Sequence, residues 1–122
     1  CFGRKKISLE ADMIDDTIQR IEARLNSAGA LPESTRAELI NLLATLKREV
    51  ALLPAANAEQ AQTIARAAES STEQAVASER DEEAYRGALD ELAGSVREFE
   101  DSHPRLVQAV NNIANTLSGL GI

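Results

Sequence analysis

Eleven positions in the second half of this 122-residue chain fall on one heptad ladder: Tyr85, Leu89, Leu92, Val96, Phe99, His103, Leu106, Val110, Ile113, Leu117 and Leu120. The steps alternate between 4 and 3 residues, even across Pro104, and ten of the eleven rungs are large and mainly apolar. Such a repeat is the pattern of helices packed side by side, because it returns one stripe of each helix to its neighbour at every second turn. The expected fold class is all-α, a coiled-coil-like bundle. A narrow seam of this length exceeds what one short hairpin covers, so self-association as a dimer or trimer, or contact with another helical protein, is expected.

Upstream of the ladder the text is also helical. From Met13, the residues Ile14, Ile18, Ile21, Leu25 and Ala28 form one stripe, with Asp12 placed to cap its start. Asn26-Ser27-Ala28-Gly29 closes this helix, and Leu31-Pro32-Glu33 opens a second that runs to about Leu53, where Pro54 stops it. The short link makes the two an antiparallel hairpin. The second helix carries Leu39, Leu43, Leu46, Val50 and Leu53, widened by Ile40 and Leu42, a stripe broad enough to predict the central helix of the bundle.

Residues 55–80 are dominated by Ala, with Ile64 and Val76 as the only large aliphatics. Asn57 and Gln60 have the spacing of a capping box, so a third helix is expected there, weakly packed or giving way to a mobile linker. Ser70-Ser71-Thr72 is its expected weak point. A fourth segment starts near Asp81 and carries the ladder. Pro104 inside a straight helix would cost about 3 kcal/mol, through a lost hydrogen bond and a clash with the carbonyl four residues earlier. Either Ser102 or His103 caps a new helix, or one long helix kinks; the unbroken ladder phase favours a kink or a very short break. The organisation read from the sequence is a basic leader or tether over 1–12 and one helical domain over 13–122. Within it lie a hairpin (13–54), an Ala-rich helix or linker (55–80) and a heptad helix (81–122).

A net charge of −7 and a pI near 4.7 argue against a nucleic-acid partner, since phosphate binding needs concentrated Lys and Arg. The acidity is local, with Asp81, Glu82, Glu83, Asp90, Glu91, Glu98, Glu100 and Asp101 set against Arg86 and Arg97, and reads as a solvated helix face. No apolar run approaches the ~18–20 residues that cross a bilayer. The chain opens Cys1-Phe2-Gly3-Arg4-Lys5-Lys6. In one reading Cys1 is an acylated lipoprotein cysteine, with the basic run against lipid head groups, and the bundle is a membrane-anchored envelope protein. In the other, Cys1 is a free thiol in an extension, Met13 is the natural start and the protein is cytoplasmic. A single cysteine forms no internal disulfide.

Phe99-Glu100-Asp101-Ser102-His103-Pro104-Arg105-Leu106, followed by Ile113, Leu117 and the terminal Gly121-Ile122, resembles a small bacterial family catalogued only as a domain of unknown function. The resemblance also takes in Met13-Ile14-Asp15-Asp16-Thr17-Ile18, the Leu31-Pro32 link and the Leu-rich second helix, some 110 residues from Met13 onward. It implies no activity. Residues 1–12 fall outside it.

Chemistry has little to stand on. His103 is the only histidine, and a zinc site needs three or four ligands, so its expected role is to set register or cap a helix at a seam position. His103 in the seam could also make assembly pH-sensitive. Tyr85 is expected in the core or at its rim, and Asn111, Asn112 and Asn115 on the outer face. The glycines form no phosphate loop. No catalytic residue, cofactor, metal or small-molecule substrate is expected. The expected function is that of a non-enzymatic structural or protein-interaction module acting through Leu39, Leu43, Leu46, Val50 and the ladder.

Overall fold

The computed structural model describes residues 3–29, 31–77, 79 and 81–119, with side chains from Ile14 onward. Five α-helices follow one another: α1 (Gly3–Ser27), α2 (Glu33–Ala51), α3 (Ala58–Val76), α4 (Glu82–Gly94) and α5 (Pro104–Gly119). Single 3-10 turns at Ala55–Asn57 and Arg97–Phe99 precede α3 and α5. There is no strand among the described residues, and the helices pack on one another as an all-α bundle.

Helix boundaries follow local chemistry. The apolar stripe of α1 marks its packed part rather than its start: the helix begins at Gly3, not at Met13, because the intervening residues include no Pro and are mostly good helix formers. Arg36 closes its far end, donating from Nε to the Leu25 carbonyl and from Nη2 to the Ala28 carbonyl, both at 3.0 Å. Those carbonyls lie where a helix runs out of its own donors. Pro32, in extended conformation, precedes α2. The expected capping box at α3 is not made: Asn57 forms no side-chain cap bond, its N–H donates to the Pro54 carbonyl at 2.8 Å, and Gln60 Oε1 is buried without a partner. Asp81 does cap α4, accepting from the N–H groups of Glu83 and Ala84 at 3.1 and 3.2 Å.

A long kinked helix does not form around Pro104. α4 ends at Gly94, the chain tightens through the 3-10 turn, and α5 starts at Pro104, where a missing N–H costs nothing. The His103 N–H donates to the Phe99 carbonyl at 2.8 Å, and the His103 carbonyl accepts from the Val107 N–H at 3.2 Å. α4 and α5 lie antiparallel, since the Tyr85 hydroxyl near the start of one donates to the Leu117 carbonyl near the end of the other.

α3 and α5 form the middle of the bundle. The α1–α2 hairpin covers one side, α1 against α3 and α2 against α5, while α4 packs on both α3 and α5. α1 and α3 run parallel, since Arg20 pairs with Glu69 at 2.9 Å and Arg24 with Glu73 at 4.0 Å. This corrects two expectations. The Leu-rich α2 is a flanking helix, and the Ala-rich α3 is the central one, touching α1, α4 and α5. Small side chains let backbones approach closely, so a helix made of them can be enclosed on several sides. Ser71 and Thr72 are correspondingly buried: Ser71 donates to the Ala88 carbonyl on α4 and Thr72 to the Ala68 carbonyl, each at 2.9 Å.

Candidate functional site: the seam and the corner between α2 and α3

The ladder is used up inside the chain. Tyr85, Leu92, Val96, Phe99, Leu106, Val110, Ile113 and Leu117 are all buried in the single core, together with Leu39, Leu43, Leu46 and Val50 of α2. Leu89 and His103 are half-buried, and Leu120, like Cys1, lies outside the described residues. The rungs stay in phase because Val96 and Phe99, although in the turn, still reach the core. Two antiparallel helices of one chain hold the seam, and its described rungs are buried or half-buried.

The polar residues marked in the sequence take structural places. His103 sits at the start of α5 with its ring edge-on to Phe99, centroids 5.8 Å apart at 69°. Tyr85 is 4% exposed, and its hydroxyl satisfies a carbonyl in the last turn of α5. Asn111, Asn112 and Asn115 face solvent. Among the described residues no three His, Cys, Asp or Glu side chains are placed to hold a metal ion, and no helix is long and apolar enough to cross a membrane.

Two surface depressions are formed by the described residues. A cleft of ≈ 330 Å³ between α1 and α3 is lined by Arg20, Arg24, Glu69 and Glu73. These charges are already matched: Arg20 donates to both Glu69 oxygens, at 2.9 and 3.3 Å, which holds its guanidinium still further on the protonated side. The second is a groove of ≈ 420 Å³ at the corner where α2 passes into α3, mostly apolar, lined by Ile14, Val50, Leu53, Pro54, Ala58 and Ala61 with Asp15 and Lys47 at its side. Leu52, in the same turn, is 67% exposed and is the one exposed large hydrophobic among the described residues. Sequence reasoning passed over it. The one signal in the sequence is a second leucine, Leu52, beside the stripe residue Leu53 just before Pro54.

No curated protein and no solved structure matches the chain. A family model matches residues 39–122, from the first buried leucine of α2 through α3, α4 and α5. The match is shorter than the resemblance expected from Met13 onward and leaves α1 and the start of α2 outside. Over the larger part of its length the chain thus belongs to the family described as Domain of unknown function (DUF4404).

Proposed function

We propose that this protein is a non-enzymatic structural module that works by helix–helix association, and that its contact surface is the corner between α2 and α3. The observation that carries the reading is Leu52, held 67% exposed in the turn after α2, beside residues that line an apolar groove, while the large aliphatics of α2 itself are buried or half-buried. The occupant that fits is the same corner of a second copy. Two-fold pairing sets Leu52 of each chain over the other's groove, a self-complementary contact. The charges lining the groove favour it: Asp15 and Lys47 stand 3.7 Å apart and balance each other, whereas the acidic residues 81–101 belong to α4 and the turn after it. A contact made away from the acidic stretch brings two chains of net charge −7 together with less repulsion than one made on it.

Light scattering on size-exclusion fractions over a range of concentrations tests this. The expected result is a dimer mass that Leu52→Asp returns to the monomer mass, with unfolding stability changed by no more than about 0.5 kcal/mol. A monomer mass for the parent protein at every concentration would remove the self-association reading.

A further inference from the structure

α4 differs from the other helices in how it is held. It is the shortest, at 13 residues, and the residues it buries are Tyr85, Ala88 and Leu92. It touches α3 and α5. Beside it, the described residues Ala77, Glu79, Asp81 and 95–103 lie outside the α-helices.

Among the bonds between described residues, two buried side-chain bonds hold it, both to main-chain carbonyls. Ser71 on α3 donates to Ala88 at 2.9 Å, and Tyr85 donates to Leu117. Leu117 lies in the last turn of α5, where carbonyls lack an intrahelical donor, so the Tyr85 hydroxyl both latches α4 and completes α5. Against these ties stands Gly87 in the middle of α4. Its φ is not positive, and a Cβ added there meets nothing within 4 Å. Neither backbone conformation nor space requires glycine at this position, and mid-helix glycine lowers helix stability relative to alanine.

We propose that α4 is a strap that opens as a unit from the α3–α5 face while α1, α2, α3 and α5 stay folded, with Tyr85–Leu117 as its latch and Gly87 keeping its stability low. Segments that move in proteins are drawn from the least stable cooperative units, and an unneeded glycine in the shortest helix marks this one.

Native-state hydrogen exchange of the full chain, read by mass spectrometry, tests the proposal. Amides of residues 86–94 are expected to exchange faster than those of α3 and α5. Gly87→Ala should slow α4 about five-fold and leave the other helices unchanged. Tyr85→Phe should speed α4 by a similar or larger factor without affecting α1 to α3. The proposal is overturned if α4 is as protected as α3, or if Gly87→Ala slows all five helices together. Should Tyr85→Phe fail to fold, Gly87→Ala alone decides, since it removes no contact.

Discussion

α2 and α3 are both 19 residues long, yet they meet the core in opposite ways. α2 buries four residues, all Leu or Val, along one stripe; α3 buries eight, of which only Ile64 is a large aliphatic. Hydrophobic stabilisation grows with area, so each buried residue of α2 contributes more than each alanine of α3. Enclosure follows a different rule. Helix axes can approach to about 8 Å over small side chains and to about 10 Å over large ones, and α3 has α1, α4 and α5 as neighbours. The comparison separates two properties that one hydrophobicity scale merges: how much a residue gains from burial, and how completely its helix can be surrounded.

Three substitutions can break or sharpen that contrast. Leu46→Ala on α2, at a fully buried position, should destabilise the fold by about 2–5 kcal/mol, measured as a lower urea midpoint with an unchanged slope. Ala68→Leu on α3, equally buried, should cost about 1–3 kcal/mol through overpacking against its neighbours. Were the larger side chain neutral or stabilising there, close approach would not be what makes α3 central. Ser71→Ala tests the polar part of the same packing and should cost about 0.5–1.5 kcal/mol, read from thermal melts. The effect stays small because the Ala88 carbonyl lies in the interior of α4 and keeps its place in the helical ladder.

Much of the architecture is legible in the chain, residue by residue. Pro32, Pro54 and Pro104 each stand at a helix boundary, and the α1–α2 hairpin follows from the short link around Gly29 and Pro32. The buried stripe of α1, the buried face of α2 and eight rungs of the ladder are all core residues. What the sequence hides has more than one cause. Ser71 and Thr72 look like a weak step because hydroxyls compete with helix bonds, but Ser71 bonds across to the Ala88 carbonyl of α4, a partner that only the packing supplies. Pro104 left both a kink and a new helix open, and the choice went to the 3-10 turn at Arg97–Phe99, which carries no strong signature of its own. Leu52 escaped notice because exposure is not a property of a residue type.

Local chemistry determined that this chain is helical, where most of its helices begin and end, and which stripe of each is apolar. Proline geometry, capping and heptad spacing act within a few residues and can be read in one dimension. Tertiary structure alone decided that the ladder closes on itself within one chain, that the alanine helix lies inside the leucine helix, and that Leu52 remains outside. These outcomes depend on how closely backbones approach and in which direction the chain turns, and two stripes with the same heptad spacing do not encode that difference.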